Sequence, residues 1–335
     1  MANTRLQTPL CDLLHIEYPV IQAPIGSASV PALAAAVANA GGLGMLGLTW
    51  CPLAEMRTLL RTTRQLTDRP VGINLILEWN QMDRLRLALD EGVRIISLFW
   101  GNAEQYNRYI EIVHAAGALA LVSVGSVQEA RQAVAAGADV IVAQGWEAGG
   151  HVRGQVTTLV LTPAVVDAVA PVPVVAAGGI ADGRGIAAAL MLGASGVWLG
   201  TRFLASVEAD VHAAYKQQVI EASENDTHHG TVYVGGWPNA PGRTLRNSTI
   251  RQWEAAGRPA VGQRPGEGEV VAHFANGKPV RRYDDTLPQV GMQGNLEALA
   301  LYAGQSAGLI HTVLPAGEIV RTLVAETEQV LAGYR

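Results

Sequence analysis

Cysteine is scarce in this chain. Only Cys11 and Cys51 occur among 335 residues, too few for a disulfide framework and without the spacing of a metal knuckle. Long apolar runs are also missing. Leu33–Val37 and Pro171–Ala177 fall far short of the ~20 residues that span a bilayer. The first residues, Met1-Ala2-Asn3-Thr4-Arg5-Leu6-Gln7, lack the apolar core of a signal peptide. A cytoplasmic location is therefore expected, and the N-x-T matches at Asn225 and Asn247 read as inert. Positive charge is in deficit: 24 Lys and Arg against 29 Asp and Glu give a net charge of -5. That is the opposite of the basic footprint of a nucleic-acid binder. Charged residues make up only 16% and hydrophobic ones 49%, which excludes a disordered chain. The 37 glycines follow no G-X-Y period, which excludes collagen. No P-loop, H-E-x-x-H or G-x-S-x-G elbow occurs.

What is present is a repeat of one theme over the first 205 residues. Short Val/Ile/Leu runs fall at Val20–Ile25, Leu43–Gly47, Val71–Leu77, Ile95–Trp100, Leu119–Val124, Val140–Gln144, Val172–Ala177 and Val197–Gly200. Continuous rather than alternating apolar runs mean strands buried on both faces. Ala/Leu-rich helical stretches separate them: Pro31–Ala40, Leu53–Arg64, Gln81–Glu91, Ala103–Ala116, Val127–Ala136, Pro163–Ala170 and Gly183–Leu192. Eight strand–helix units in this length predict a (β/α)8 TIM barrel, an α/β fold. Gly117, Gly137 and Gly193 stand where left-handed residues end helices. Pro31 and Pro163 stand near expected helix starts.

The texture changes after about Ser206. Residues 225–295 are rich in Gly, Pro, Asn, Arg and His, and helical periodicity returns at Leu296–Ile310 and Glu318–Ala332. The expected organisation is a barrel over 1–205, a cap inserted between strand and helix eight over 206–295, and helices over 296–335 that complete the barrel. A long structureless loop is improbable in a compact domain, so the insertion is expected over the barrel mouth, with Arg246-Asn247 as candidates to face the pocket.

Several motifs bear on chemistry. Gly42-Leu43-Gly44-Met45-Leu46-Gly47 has the letters of a dinucleotide fingerprint, but it follows a helix and enters a strand. It reads as a glycine turn whose strand tip lies near a ligand. Ala177-Gly178-Gly179-Ile180 follows strand seven and Leu199-Gly200-Thr201-Arg202 follows strand eight. Barrels commonly hold a phosphate at these two loops, because glycine lets backbone N–H groups close on an anion. Gln144-Gly145-Trp146-Glu147-Ala148-Gly149-Gly150-His151 follows strand six, on the active face, and offers His151 for proton transfer near neutrality. The adjacent His228-His229 lacks ligand spacing, so no metal is expected. Trp79, Trp100, Trp146 and Trp198 fall near strand ends; they either line an apolar pocket or pack the rim.

Gln22-Ala23-Pro24, Ala38 to Gly44, Gly145 to His151, Ala176 to Gly185, Gly200 to Phe203 and Tyr302-Ala303-Gly304-Gln305 together resemble the nitronate monooxygenase family, also called 2-nitropropane dioxygenases. The resemblance spans Pro19 to about Leu309. It implies an FMN-dependent TIM barrel with a cap between strand and helix eight. It implies that Gln22, Ala23 and Pro24 lie against the flavin ring, and that Asn74 and Gln144 hydrogen-bond the ring or ribityl chain. Gly149, Gly150, Gly178, Gly179, Gly200 and Thr201 would approach the phosphate. Tyr302, Gly304 and Gln305 would close the site from the last barrel helix, and His151 would be the catalytic base. The family's usual Gly-Gly-His-Arg-Gly is here Gly150-His151-Val152-Arg153-Gly154, so Arg153 receives no role.

The activity so implied is oxidation of alkyl nitronates, or nitroalkanes, with O2 to a carbonyl compound and nitrite. The partners are a small-molecule substrate and O2, with no nucleic acid and no membrane, and with a homodimer left open as the assembly. The same barrel serves NAD(P)H-dependent flavin reductases of enoyl thioesters or quinones, and Gly304–Ile310 resembles the enoyl reductases. No basic cluster for an acyl carrier protein accompanies it. A barrel that binds a phosphate ligand without turnover is the third reading, opposed by His151 in its glycine-rich loop.

Overall fold

A computed structural model describes residues 6–333. Eight parallel strands form one sheet: Val20–Gln22, Gly44–Gly47, Val71–Ile76, Ile95–Phe99, Leu119–Val124, Val140–Gln144, Val174–Ala177 and Gly196–Leu199. Each expected strand is present, with its ends displaced by no more than three residues. The first strand pairs with the eighth. A parallel bridge between Ile21 and Leu43 joins the first to the second, so the sheet closes into the barrel. Helices cover its outside, and the buried strand residues touch them on one face and the barrel interior on the other. That two-sided burial is why the runs are continuously apolar.

Inside the barrel Ile21, Met45, Leu121, Val142 and Val175 pack together, and Leu10, Cys11 and Leu14 of the helix Pro9–Leu14 plug its N-terminal end. The helix stops behave as expected: Gly117, Gly137 and Gly193 all have positive φ. The start near Pro163 does not. That helix runs Thr158–Val169 with Pro163 inside it. The Glu147 carboxylate accepts from Thr158 N at 2.9 Å and Thr158 Oγ1 at 3.1 Å, capping the helix a turn earlier.

The stretch 206–295 forms two small three-stranded sheets. One joins Thr227–Gly230, Gly242–Leu245 and the two residues Gly150–His151. The other joins Val270–His273, Pro279–Arg281 and Gln293–Gly294. Helices Ala213–Glu221 and Ser248–Ala255 accompany them. The helix expected over Leu296–Ile310 is instead two 3-10 turns, Leu296–Ala298 and Gln305–Leu309. Between them the backbone is committed to other partners. Leu301 O accepts from Leu245 N, and Gly304 N donates to Thr201 Oγ1 at 2.9 Å. The last helix, Ala316–Gly333, packs on the helix Gly183–Met191. Among the described residues no helix is long and apolar enough to cross a membrane.

Candidate active site

A cavity of about 970 Å³ opens at the C-terminal ends of the barrel strands. Its floor comes from the barrel: Asn74, Ser123, Gln144, Ala177 and Trp198. Its rim is glycine: Gly149, Gly150, Gly178, Gly179 and Gly200, beside Thr201. Its far wall comes from residues 206–295, including Gly235, Lys278, Asp285 and Gln289, and from Tyr302 and Gly304. Gly47, at the end of the second strand, also reaches it.

The glycines differ in what they do. Gly178 and Gly179 have φ of +97° and +73°, the left-handed region that disfavours side chains. A Cβ on Gly178 would stand 2.9 Å from Ala148 Cβ, so that glycine permits loop packing. At Gly150 a Cβ would meet nothing within 4 Å, at Gly179 nothing nearer than 3.6 Å, and at Gly200 only Ala23 Cβ at 3.7 Å. Those three leave room for a ligand against bare backbone.

The polar residues of the floor are held by specific bonds. Asn74 Oδ1 accepts from Ser97 Oγ at 3.0 Å, which fixes the amide. Gln144 Nε2 donates to His151 O at 3.2 Å, tying the sixth strand to the loop it feeds. Ala23 and Pro24 line the cavity, whereas Gln22 does not. Gln22 is fully buried in the wall, where its Oε1 accepts from Met45 N at 2.9 Å and its Nε2 donates to Ser29 Oγ at 3.0 Å and to Ala23 O. Gln305 also lies off the lining; its N–H donates to Glu147 O, and Ser306 reaches the cavity instead. Tyr302, Gly304 and Gln305 sit on the extended stretch and 3-10 turn described above, not on a barrel helix.

His151 occupies the seam between the barrel and residues 206–295. It pairs with Gly242 across the small sheet. Its Nδ1 lies 3.3 Å from Ala240 O and its Nε2 lies 3.4 Å from Asp285 Oδ2. Trp237 packs on the ring at 4.3 Å and Trp100 at 6.4 Å. Trp50, Trp79, Trp100 and Trp237 form one cluster of edge-on contacts. Trp100 carries φ +59°, an uncommon conformation for a bulky residue. Of the tryptophans near strand ends, Trp198 lines the cavity, Trp79 and Trp100 belong to this cluster, and Trp146 lies under the Arg243 guanidinium at 4.1 Å.

Other residues take structural work. Arg153 pairs with Glu129 at 3.1 Å. Val152 is buried, and its N–H donates to Pro241 O, so the residue that departs from the usual motif anchors the loop to the segment before Gly242–Leu245. Arg246 and Asn247 do not face the cavity. Asn247 caps the helix Ser248–Ala255 and bonds Tyr233 and Leu299 O, while Arg246 pairs with Glu254. Burial lowers His228 and His229 from the ordinary histidine value, with Glu254 opposing it at His228. Among the described residues no group of three or more His, Cys, Asp or Glu could hold a metal ion.

Reading by motif missed Asp285, Trp237 and the Ala240 carbonyl. Asp284-Asp285 is an acidic pair in a segment of glycine and arginine. Only the fold separates the two: Asp284 accepts from Arg281 N at 2.7 Å in a turn, and Asp285 turns to the cavity.

A sequence profile of the nitronate monooxygenase family matches residues 7–83 and 76–326. The chain belongs to the nitronate monooxygenase family. A nitronate monooxygenase of Pseudomonas aeruginosa is 35% identical over 94% of this chain and 97% of its own. A relative in Mycobacterium tuberculosis, named (3aS,4S,5R,7aS)-5-hydroxy-7a-methyl-1-oxo-octahydro-1H-indene-4-carboxyl-CoA dehydrogenase, is 35% identical over 96% of each chain. FabK from Thermotoga maritima superposes with a TM-score of 0.83 at 35% identity, over 98% of this chain and 99% of its own. A nitroalkane oxidase from Streptomyces ansochromogenes superposes with a TM-score of 0.78 at 30% identity, over 97% and 99%. Like this family, the chain is a flavin oxidoreductase on a TIM barrel. The bare backbone at Gly150, Gly179 and Gly200, together with the fixed amides of Asn74 and Gln144, fits a phosphate-bearing flavin.

Proposed function

We propose that the protein oxidises alkyl nitronates with O2, giving a carbonyl compound and nitrite, and that His151 takes the proton when the substrate is the neutral nitroalkane. The observation that carries this reading is His151 at the wall of a glycine-rimmed cavity, in a chain of the nitronate monooxygenase family. FMN is the flavin we propose, because the loops after strands seven and eight suit one terminal phosphate. Gly149, Gly150, Gly178, Gly179, Gly200 and Thr201 would hold that phosphate; Ala23, Pro24, Asn74, Gln144, Tyr302 and Gly304 would hold the rest. Bound there, the flavin would supply the redox chemistry that no side chain offers.

The chain's own residues have three tasks. The glycine rim binds by its backbone. Residues 206–295 act as a cap, which excludes water from the reacting atoms and strengthens every charge interaction beneath it. His151 Nε2, the ring nitrogen on the side of Asp285, would accept a proton from the carbon next to the nitro group. Gln144 holds the backbone of that histidine, and Ala240 O holds the other ring nitrogen.

A second reading is favoured by the CoA-dehydrogenase name of the Mycobacterium tuberculosis relative: NAD(P)H-dependent redox chemistry on a thioester. Anaerobic mixing of the flavin-loaded protein with propyl-2-nitronate or with NADH separates the two. Bleaching of the oxidised flavin band by the nitronate is expected. Bleaching by NADH alone would overturn the first reading in favour of the second. Release of the cofactor and mass spectrometry should return FMN; FAD would refute that assignment.

A further inference from the structure

Three side chains from three separate stretches meet in the cavity wall. His151 follows the sixth strand, Asp285 comes from the cap, and Tyr302 comes from the segment that returns to the barrel. Asp285 Oδ2 stands 3.4 Å from His151 Nε2. Asp285 Oδ1 accepts a hydrogen bond from the Tyr302 hydroxyl. Tyr302 O is itself tied down by the Tyr215 hydroxyl at 2.6 Å. His151 and Asp285 each keep 12% of their side-chain exposure, so bulk water barely reaches the pair. Burial pushes the Tyr302 hydroxyl well above its ordinary value, and the Asp285 charge adds to that. Tyr302 therefore stays a donor at neutral pH and orients the carboxylate.

Both nitrogens of the His151 ring face acceptors, Ala240 O on one side and Asp285 on the other. A neutral imidazole has one N–H and satisfies one of them; an imidazolium has two and satisfies both. Among the surrounding groups, Asp285 is the carboxylate on the ring. Arg243, in register with Gly150, turns its guanidinium onto Trp146. Arg153 lies by the Trp100 ring and pairs with Glu129. The ring's aromatic neighbours Trp100, Trp237 and Tyr302 carry no charge.

We infer that Asp285 is the positioning partner of His151. In the neutral ring Nδ1–H donates to Ala240 O and Nε2 keeps its lone pair for the substrate proton; Asp285 supplies the counter-charge to the imidazolium then formed, while Tyr302 holds Asp285 in place. The step balances: the substrate C–H bond breaks, its electron pair stays on the carbon to give the nitronate, and the proton goes to Nε2. The new positive charge then lies beside the Asp285 carboxylate. This rests on the reading of His151 as proton acceptor.

The test is Asp285→Asn in the flavin-loaded protein, with nitroethane and its preformed nitronate as substrates. A positioned base contributes ~10²–10⁴-fold, and the loss of its partner should cost kcat on nitroethane roughly ten- to a hundredfold, with KM unchanged. The nitronate, which has no proton to lose, should suffer much less. Equal losses on the two substrates would overturn the inference and leave the function standing. A second readout needs no turnover. In protein labelled with 15N-histidine, the His151 signals are those lost in His151→Ala. Asp285→Asn should move the Nε2 signal and leave Nδ1 in place; an unmoved Nε2 signal would overturn the pairing. If the parent protein oxidises neither substrate, the proposed function falls, and the nitrogen spectrum still judges the pair. Should the Asn variant fail to fold, Tyr302→Phe keeps the carboxylate but frees it, and a smaller shift of the same Nε2 signal is expected; no shift would refute the inference.

Discussion

In the barrel wall the sealed side chains are Leu75, Ile96, Leu98, Val122 and Ile141, all with no exposed surface. Over residues 206–295, the buried side chains include Arg243, Arg264 and Arg282. Arg264 lies over the Tyr283 ring at 4.1 Å and donates to Val232 O at 2.8 Å. Arg282 pairs with Glu269 at 2.9 Å and donates to Thr249 Oγ1 at 2.9 Å. Arg243 lies over Trp146 and donates to Trp146 O and Thr227 Oγ1. The barrel is thus held by non-directional burial, whereas residues 206–295 have smaller apolar clusters, around Val271 and Val280 and around Ile250 and Tyr283, and add directional bonds to buried cations, which cost much when a partner is lost. A packed wall tolerates shape-conserving change, whereas a region with buried cations depends on individual contacts.

The seam between the two regions should give the largest effect. His151→Ala is expected to cut turnover of a neutral nitroalkane by ~10²–10⁴-fold. Flavin absorbance of the purified variant should persist, because other loops supply its contacts. Unchanged kinetics on both nitroalkane and nitronate would remove His151 from the chemistry.

Next comes a pair that contrasts the two cores. Leu98→Ala should cost about 2–5 kcal/mol in urea unfolding, the usual range for a large-to-small change in a packed interior. Arg243→Leu keeps an apolar stem but strands Trp146 O and Thr227; hydrogen bonds to charged groups are worth about 1.5–3 kcal/mol. Hydrogen exchange should show that second loss at amides 227–245 and around His151, with barrel amides protected as before. Equal loss of protection in the barrel would mean that the two regions open as one unit.

Gly200→Ala is smaller and sharper. The backbone there has ordinary negative φ, and a Cβ would meet only Ala23 Cβ at 3.7 Å. Stability should therefore change by no more than about 0.5 kcal/mol, while flavin affinity, measured by fluorescence titration of the apoprotein, should fall. Undiminished affinity would remove the phosphate from this loop.

The smallest effect concerns Cys51, at the cavity edge. Burial, with Glu55 nearby, raises its thiol to about 11. The thiolate is the reactive form, and a raised value keeps the thiol protonated through neutral pH. Alkylation of Cys51 by iodoacetamide should be slow at pH 8 and climb toward pH 11. Rapid labelling at pH 8 would show a rim more open than the burial of Cys51 implies.

The barrel was legible because its signals are local. An apolar run and the helix after it lie within a few tens of residues, and a strand buried on both faces must be apolar throughout. The glycine loops were legible for the same reason: Gly178-Gly179 and Gly200 each follow their own strand. The misread helix start near Pro163 came from a cap supplied by Glu147, 11 residues before Thr158. The misread helix at Leu296–Ile310 came from apolar residues such as Leu299, Leu301 and Ala303. They are buried on all sides of an extended stretch and so mimic a helical pattern.

Taken alone, then, the sequence determined the eight strands, their order in a barrel, the glycine loops at one end of it, and the presence of His151 beside them. Only the tertiary structure decided what surrounds that histidine. Asp285 lies 134 positions beyond it in the chain, and nothing in its neighbours separates it from Asp284. That Arg246 and Asn247 turn from the cavity to Glu254, Tyr233 and Leu299 O is likewise a matter of how the chain packs. Strand and helix patterns arise from backbone periodicity and burial within a short window. A hydrogen-bonded site arises from which distant segments the fold brings within about 3 Å of one another, and no local pattern encodes that distance.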